Sequence, residues 1–316
     1  MTRYNKTTSL AAVRIFLAVI RAHQHARPTA LLLAAALLVG CGTTSTPNLL
    51  DPHGPVAAQI SNLWWLMFWL GLAVYIVVFA LALYATFRTR GTESNEDPSG
   101  SGRRMVVLGG VIFPLPILAI VLGYTMYSGS LIARLSFSPV SEAPSALTID
   151  VIGHQFWWEV RYPDQEVVTA NEIHIPIDEP VLFRVTSADV IHSFWVPQLN
   201  GKIDLNPGDT NAIWLEADEP GIYRGLCAEF CGLQHAHMQF LVIAQPAEEF
   251  VAWVERQRQP AEEPTDPVTR QGQQVFMGSA CVYCHTIQGL NPEAATEVVA
   301  PDLTHLASRL TIAAGM

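Results

Sequence analysis

Two cysteines, a histidine and a methionine lie within one short stretch of the chain, at Cys227, Cys231, His235 and Met238. Thiolate, imidazole and thioether groups together form a ligand set that selects copper over hard cations such as magnesium. His192 lies at the end of a different predicted strand and could complete the site. The alternative is a disulfide between the two cysteines, which an exported protein permits. That alternative leaves the methionine and the histidines without a role, so the spacing predicts a copper site.

A second motif with redox chemistry follows, Cys-x-x-Cys-His at residues 281–285. This pattern is the signature of covalent attachment of a c-type haem, with thioether bonds from Cys281 and Cys284 and iron ligation by His285. The alternative is a redox-active disulfide of the thioredoxin type, which would need a βαβ context. It would also leave the adjoining histidine unexplained. The motif therefore predicts a haem c site.

The residues around the copper ligands form short alternating or apolar runs with turn residues between them. Several short strands at regular spacing, separated by turn signals, predict an all-β sandwich or a Greek-key barrel. The predicted strands are residues 147–155, 172–177, 181–187, 210–215, 221–226 and 239–244. A short helix at 248–258, an exposed linker at 260–264 and the start of another helix at 272–276 are predicted to lead to the haem motif.

Two uncharged apolar stretches precede the predicted strands, at residues 63–87 and 105–127. Each is long enough for a membrane-spanning helix of about 20 residues, and Pro114 and Pro116 predict a kink in the second helix. Basic residues favour the cytoplasmic side of a membrane. Four of them lie between the two stretches: Arg88, Arg90, Arg103 and Arg104. The pattern therefore predicts a cytoplasmic loop and places everything after residue 127 on the outer face.

The N-terminal region predicts export. Basic residues, with no acid before Asp51, are followed by an apolar run at 31–39 and then by Gly40 and Cys41, which is the pattern of a secretory signal. The run is too short to span a bilayer. Residues 38–41 are also similar to a bacterial lipobox, which would make Cys41 the lipidated first residue of the mature chain. The alternative is an ordinary buried cysteine at the end of a helix.

The composition agrees with this division of the chain. Half of the residues are hydrophobic (50%), 15% are charged and the formal net charge is −10. This combination excludes an intrinsically disordered chain and argues against a nucleic-acid partner. The acidity of the predicted β-domain fits either a solvated surface or the steering of a basic partner. The five cysteines divide between a lipid anchor, a copper site and a haem site, and none remains for a disulfide.

The pattern Cys-x-Glu-x-Cys-Gly-x-x-His-x-x-Met at residues 227–238, with His-Ser-Phe at 192–194 and two apolar helices upstream, resembles subunit II of the cytochrome c oxidases. The segments Gly-His-Gln-Phe-Trp-Trp at 153–158 and Asn-Glu-Ile-His-Ile-Pro at 171–176 resemble the same family. The likeness covers roughly residues 64–244. It implies a cupredoxin fold that holds a binuclear copper centre.

The resemblance implies a role for each copper ligand. Cys227 and Cys231 would bridge both copper ions, whereas His192 and His235 would bind one ion each. Met238 would be a weak ligand of one of the two ions. His237 has no ligand role in the family and is expected at the surface.

Glu229 and an aromatic segment also receive roles from the resemblance. The main-chain carbonyl of Glu229 would be a weak ligand of the other copper ion, and its side chain would reach a magnesium ion shared with the catalytic subunit. Electrons would pass through the aromatic segment Phe156, Trp157 and Trp158. Many relatives have tryptophan at the position of Phe156, where electrons arrive from soluble cytochrome c. A donor tethered at high effective concentration would explain this departure.

The region after the haem motif resembles class I cytochromes c. The segment Ala-Pro-Asp-Leu at 300–303 is similar to one in which the proline carbonyl accepts a hydrogen bond from the iron-ligating histidine, and this role falls on Pro301 and His285. The arrangement resembles oxidases whose subunit II carries a cytochrome c tail. Met316 is the only methionine after His285 and lies closer to the motif than the family's sixth iron ligand, which predicts an incomplete haem domain.

These patterns predict a mixed fold: a signal segment, a two-helix transmembrane hairpin, a cupredoxin-like β-sandwich and a small, incomplete α-helical class I cytochrome c domain. The expected boundaries are a lipoprotein-type signal at 1–40, an exported segment at 41–62, helices at 63–87 and 105–127 around a loop at 88–104, a copper domain at 140–246, a linker at 247–266 and a partial haem domain at 267–316.

The expected function is that of the subunit through which electrons enter a haem–copper terminal oxidase. Electrons would pass from haem c or cytochrome c through the copper centre to a catalytic subunit that reduces O2 to water and translocates protons. The expected partners are oxidase subunit I and the other oxidase subunits, an upstream electron donor and the bilayer of the bacterial plasma (inner) membrane, with no nucleic acid. The copper and haem domains would face the periplasm. The alternatives are the copper subunit of a nitric oxide reductase and a disulfide-stabilised exported lipoprotein with a binding or assembly role.

Overall fold

The computed structural model describes residues 47–88, 99–137, 147–291 and 300–315. All of them belong to one compact unit that begins at Pro47. The predicted signal segment at 1–40, the candidate lipidation site Cys41, Arg90 and Met316 lie outside the described residues.

Two long apolar helical stretches come first. Helix α1 spans Pro55–Phe87, and the second stretch consists of α2 at Ser99–Val107, a π-turn at Leu108–Ile112 and α3 at Pro114–Phe137. Uncharged apolar residues fill most of both, and Pro55 at the start of α1 loses no hydrogen bond because the first helical N–H groups are unpaired in any helix. By length and composition, Pro55–Phe87 and Gly102–Ser136 are each able to cross a membrane.

Both helical stretches extend beyond the predicted spans because they also contact the β-domain. Val56 and Ala57 at the start of α1 are buried, and the Ala57 N–H donates to the carbonyl of Leu199. At the end of α3, the Ser136 hydroxyl donates to the Asn200 side chain at 3.2 Å. Helix α1 therefore begins, and helix α3 ends, beside the loop of the β-domain that contains Leu199 and Asn200.

The irregularity predicted near Pro114 is a π-turn. Proline has no N–H to donate, so the helix before it must rearrange. The Phe113 N–H donates to the carbonyl of Leu108 at 2.9 Å, five residues back, instead of four. Pro114 then begins α3.

The β-domain is a sandwich of two five-stranded sheets, in the orders β3-β2-β1-β5-β8 and β4-β10-β9-β6-β7. The strands are β1 Thr148–His154, β2 Trp157–Tyr162, β3 Val167–Ala170, β4 Glu172–Pro176, β5 Val181–Ser187, β6 His192–Trp195, β7 Lys202–Leu205, β8 Asn211–Leu215, β9 Gly221–Cys227 and β10 Gln239–Gln245. Strands β1 and β5 pair in parallel, as do β4 and β10, and the remaining neighbours are antiparallel. The sandwich predicted from the sequence is confirmed.

Aromatic side chains from both sheets fill the space between them. Phe194 lies at the centre, with its ring centroid 4.6 Å from Phe240, 5.4 Å from Phe183 and 6.0 Å from Trp158. All four are almost completely buried. Burying such side chains away from water supplies most of the stability of a fold of this kind.

All six predicted strands are present, and four further strands accompany them. Strand β2 is buried at five of its six positions, so it lacks the polar–apolar alternation by which half-buried strands are recognised. Strands β3, β6 and β7 are only four residues long. Short or fully buried strands give little periodic signal, because periodicity needs several repeats to emerge.

Two further helices follow the sandwich. Helix α4, Ala247–Gln257, packs Phe250, Trp253 and Val254 against the sandwich core. Helix α5, Pro267–Met277, begins after Asp266, whose side chain accepts hydrogen bonds from the first N–H groups of the helix. Short 3-10 turns at Ala280–Tyr283 and Leu306–Ser308 follow.

Candidate metal centre

The residues predicted to bind copper lie at one end of the second sheet. Strand β9 ends at Cys227, β10 begins immediately after Met238, and β6 begins at His192. The Cys227 N–H donates to the Met238 carbonyl at 2.9 Å, and the Ala228 N–H donates to the Ser193 carbonyl at 3.0 Å. These two bonds close the base of the loop between β9 and β10 (residues 228–238, the copper loop) and hold it beside β6.

The structure brings the six predicted donors together. Cys227 Sγ lies 3.8 Å from Cys231 Sγ, 3.8 Å from His192 Nδ1 and 3.2 Å from the Glu229 carbonyl oxygen. Cys231 Sγ in turn lies 3.6 Å from His235 Nδ1. The sulfur of Met238 lies 3.7 Å from that of Cys231. A disulfide bond would bring the two cysteine sulfurs to about 2.05 Å, so the two thiols are separate and free to share a metal.

The donor set fits copper on two grounds. Sulfur and imidazole nitrogen are soft or borderline ligands, and among first-row metals this mixture favours copper. The potential donors of His192, Cys227 and Cys231 all lie within 4.8 Å of one another, and their side chains are buried. These donors therefore lie close enough together to form one metal site.

The two thiols respond differently to their surroundings. Burial opposes ionisation of Cys227, but hydrogen bonds from His192, the backbone at Glu229 and Ser193, and His235 together outweigh burial and lower the pKa of the Cys227 thiol to about 6. Burial, together with the negative charge of Cys227, raises the pKa of Cys231 to about 12. The pair therefore holds one proton at neutral pH, and a metal ion must displace that proton to bind both sulfurs.

Asp189 orients the His192 ring, a role that sequence reasoning missed. Its Oδ1 lies 2.8 Å from His192 Nε2 and accepts from the Val190 N–H at 2.6 Å, while Oδ2 accepts from the Gln155 N–H at 2.6 Å. Burial raises the pKa of the Asp189 carboxyl, but these bonds outweigh burial and lower it. A carboxylate on the far nitrogen of a ligand histidine fixes the direction of the other nitrogen. The one available signal was an aspartate three residues before the histidine.

Residues of the aromatic segment and its neighbours support the site. Gly153 lies beside the His192 ring, and a Cβ at this position would come within 2.8 Å of it. The Gln155 amide donates to the Cys231 carbonyl at 2.5 Å and so ties the copper loop to the first sheet. Neither Gly153 nor Gln155 was predicted as a site residue, although both belong to the segment that carried the resemblance.

The three predicted electron-path residues have different environments. Trp158 is buried, and its ring centroid lies 6.0 Å from that of His192. Trp157 is buried as well and stacks on His154 at 4.4 Å. Phe156 is only partly buried, against the edge of the core. Trp158 is therefore the member of the segment whose ring lies against a copper ligand.

The haem motif lies on a short turn after α5. Cys281 and Cys284 are exposed free thiols, and the His285 N–H donates to the Cys281 carbonyl at 2.9 Å. His285 Nδ1 lies 2.7 Å from the Pro301 carbonyl oxygen, which is the contact inferred for these residues. Two accessible thiols beside a histidine whose ring is held at one nitrogen are donors that fit a covalently attached haem.

A β-sandwich that carries two thiols, two imidazoles and a thioether at one end, joined to two apolar helices, defines a copper-binding cupredoxin domain on a membrane-type anchor. The comparisons with known proteins identify the family. Its model, described as cytochrome c oxidase subunit II, periplasmic domain, matches residues 165–245. The chain belongs to the cytochrome c oxidase subunit II family.

Two curated relatives match nearly the whole chain. Cytochrome c oxidase subunit 2 of Alkalihalophilus pseudofirmus is 36% identical over 87% of this chain and 80% of the relative. Its counterpart in Bacillus sp. strain PS3 is 32% identical over 89% of this chain and 82% of the relative. Among solved structures, the periplasmic domain of subunit II of cytochrome oxidase from Bradyrhizobium japonicum is 34% identical, with 35% of this chain and 93% of that chain covered at a TM-score of 0.35.

Proposed function

We propose that this chain is the subunit through which electrons enter a haem–copper terminal oxidase, on their way to a catalytic subunit that reduces O2. The observation that carries the proposal is the convergence of both thiols, both imidazoles, the thioether and the Glu229 carbonyl at one end of the sandwich. The relatives described above are named as oxidase subunits, which favours an oxidase over a nitric oxide reductase. The separated thiols argue against the disulfide-stabilised lipoprotein.

The chain's own residues make the site suitable for carrying electrons. Copper, when bound, supplies the one-electron redox chemistry. Cys227 is the last residue of β9, Cys231 follows it in the copper loop, and His192 is the first residue of the adjacent β6. Because these strands belong to a packed sheet, the ligands move little when the charge of the site changes. Asp189 holds the His192 ring in one orientation. Buried donors also keep water away, which limits the solvent reorganisation that accompanies electron transfer.

The helices support a place in the bacterial inner membrane. We assign Pro55–Phe87 and Gly102–Ser136 as two membrane spans, with the arginine-containing connection in the cytoplasm and the copper domain in the periplasm. The signal segment at 1–40 and lipidation of Cys41 belong to the same assignment. The catalytic subunit I and the other oxidase subunits would contact the spans and the copper end of the sandwich, with a magnesium ion bound by Glu229 at that interface.

The residues after the linker are assigned to a haem c module. Cys281 and Cys284 would form the covalent bonds, His285 would bind the iron, and Pro301 would hold the His285 ring. A partly open cavity of about 620 Å³ is lined by residues that precede and follow the motif. Phe276, Leu290 and Leu303 are among its lining residues. This module would receive electrons from cytochrome c or another upstream donor.

Metal content and electron paramagnetic resonance of the purified complex test the proposal. The complex is expected to contain two copper ions per copy of this chain and to show the spectrum of a mixed-valence copper pair. Cys227→Ser should abolish that spectrum because one of the two thiolates that would hold the copper ions is lost, whereas the double variant Cys281→Ser, Cys284→Ser should leave it intact and remove the covalent haem. Copper-free protein, or a copurified subunit that reduces nitric oxide and not oxygen, would contradict the proposal.

A further inference from the structure

The segment at residues 309–315 lies against the copper domain at the junction of β3 and β4. The Thr311 N–H donates to Glu172 Oε1 at 2.8 Å, and the Thr311 hydroxyl approaches the same oxygen at 3.2 Å. The Asn171 amide donates to the Ala313 carbonyl at 2.8 Å, and the Ala314 carbonyl accepts from the Gln239 N–H at 3.0 Å. We call residues 309–315 the latch.

The contact surface on the copper domain consists of buried polar groups whose partners come from the latch. Asn171 and Glu172 are each only 3% exposed. Asn171 uses its side-chain oxygen to accept from the Trp158 N–H at 2.8 Å and its side-chain NH2 group to donate to the latch. Buried polar atoms are costly when left without partners. The latch therefore supplies hydrogen-bond partners to the Asn171 and Glu172 side chains that it helps to bury.

The latch also closely approaches the backbone of β10. Gly315 has a positive φ of 87°, and a Cβ at this position would lie 2.9 Å from the Cβ of Gln239. Ala314 is the one buried hydrophobic residue among those described after Val254. A glycine and an alanine together permit a backbone-to-backbone approach that larger side chains would prevent.

Two short connections lead from the latch to copper ligands. Gln239, which donates to the latch, is covalently joined to Met238. Asn171 is hydrogen-bonded to Trp158, whose ring lies 6.0 Å from that of His192. The latch is thus connected to Met238 by one hydrogen bond and one peptide bond. It is connected to His192 by hydrogen bonds through Asn171 to Trp158 and then by the contact between the two rings.

The other end of the latch is joined to the haem motif. The Arg309 guanidinium donates to the Asp302 carbonyl at 2.7 Å, and the carbonyl of the preceding Pro301 contacts His285. His305 Nε2 lies 3.0 Å from the carbonyls of both Gln257 and Gln259, at the end of α4. The residues that lead from the haem motif to the latch are therefore hydrogen-bonded both to the haem motif and to the end of α4, which packs on the sandwich.

We propose that the latch docks the haem-attachment module on the copper domain and provides the connection by which electrons pass from that module, through bonds to Met238 and through the Trp158 ring to His192. The docking part stands on the contacts alone, and the electron-transfer part rests on the function proposed above. In that step the haem iron loses one electron and the copper centre gains one, with no other reactant.

Amide hydrogen exchange of the full chain tests the docking. Thr311→Pro removes both the N–H and the hydroxyl that Glu172 accepts. It should speed exchange of the Gln239 amide, which donates to the Ala314 carbonyl, by about ten-fold, the factor that corresponds to roughly one net hydrogen bond. Glu172→Ala should give the same result from the other side of the contact, while Glu172→Gln keeps an acceptor and should restore protection. Ser308→Ala is the matched control, because that hydroxyl bonds only within its own turn. Unchanged exchange in both Thr311→Pro and Glu172→Ala would overturn the proposal.

The rate of electron transfer from haem to copper after rapid reduction tests the second part. The rate should fall in proportion to the docked fraction that exchange reports, so that a variant docked about one tenth of the time transfers electrons about ten-fold more slowly, while the copper spectrum and both reduction potentials stay unchanged. A rate equal to that of Ser308→Ala in a variant whose docked fraction exchange shows to be reduced would overturn the electron-transfer role. Exchange is also read on chain free of metals. Protection of the latch in chain that fails to bind copper would support docking and would reject the proposed function instead.

Discussion

The predicted copper site and the haem motif both contain two cysteines and at least one histidine, yet the protein places them in opposite surroundings. Cys227 and Cys231 are buried at the end of a ten-stranded sandwich, and their sulfurs lie near further donors from two strands and a loop. Cys281 and Cys284 are exposed on a short turn. The same residue types therefore occupy two kinds of environment, a packed core and an exposed turn.

The difference teaches what each cofactor contributes to its domain. The sandwich has its own aromatic core, so its ligands are positioned by packing that does not depend on copper. The described residues of the haem module contribute to a partly open cavity and have little buried apolar surface of their own. A bound haem would supply the missing apolar mass, in the way that metal binding supplies folding free energy in small metal-binding domains.

The largest expected effect comes from blocking haem attachment, because it removes a covalent group outright. In the double variant Cys281→Ser, Cys284→Ser, the haem module should become sensitive to protease between residues 267 and 291, while the sandwich and its copper spectrum remain intact. Limited proteolysis followed by mass spectrometry measures this. The corresponding copper variant, Cys227→Ser, should leave the sandwich resistant. Equal protection of the haem module with and without haem would show that the two regions do not differ in this way.

Both predicted sites could be recognised from the sequence because most of their predicted ligands lie close together along the chain. Five of the six copper donors fall in one segment of a dozen residues, and the haem motif is continuous. His192 was predicted from its place at a strand end, and it does begin β6. The parts that sequence could not predict depend on contacts between distant residues. Asp189 acts through the direction of one histidine nitrogen, and nothing in residues 309–315 marks them as partners of Asn171.

The fold was predictable to a similar degree and for a related reason. Helix α1 and the strands with regular alternation have strong local patterns, whereas β2 is buried on both faces and β6 and β7 are too short to show a period. The start of α1 and the end of α3 were missed because tertiary contacts with the loop at Leu199 and Asn200 extend both helices. Local pattern thus identifies elements, and packing decides where they end.

The second expected effect concerns stability and compares the two cores. Phe240 is completely buried and stacks on Phe194 at 4.6 Å, so Phe240→Ala should lower the free energy of unfolding of the sandwich by about 3–5 kcal/mol. Phe276 in the haem module is only partly buried, and Phe276→Ala in haem-free protein should cost less than about 1.5 kcal/mol. Denaturant unfolding followed by tryptophan fluorescence gives the value for the sandwich, and denaturant-dependent amide exchange of Pro267–Met277 gives the value for the haem module, which contains no tryptophan. Similar losses would contradict the view that only the sandwich has a finished core.

The smallest effect tests whether the copper site is prepositioned by residues that never touch the metal. Asp189→Ala frees the His192 ring to turn, because the carboxylate is its partner at Nε2, and copper affinity should fall by about 10–100-fold. Asp189→Asn keeps an acceptor for that nitrogen but places an amide against the Gln155 N–H, so an intermediate loss is expected. Competition with a copper chelator measures the affinities.

Asp150→Ala is the matched control for Asp189→Ala. It removes a carboxylate of strand β1 that accepts from Arg184 and that is not among the contacts described for the predicted copper ligands. This control should leave copper affinity unchanged. If Asp150→Ala and Asp189→Ala weaken binding equally, the loss reflects the net charge of the domain. If only Asp189→Ala weakens it, the sandwich positions the ring of His192 through a side chain that does not touch the metal. In the haem motif, the described partner of the His285 ring is a main-chain carbonyl, which a side-chain substitution does not remove.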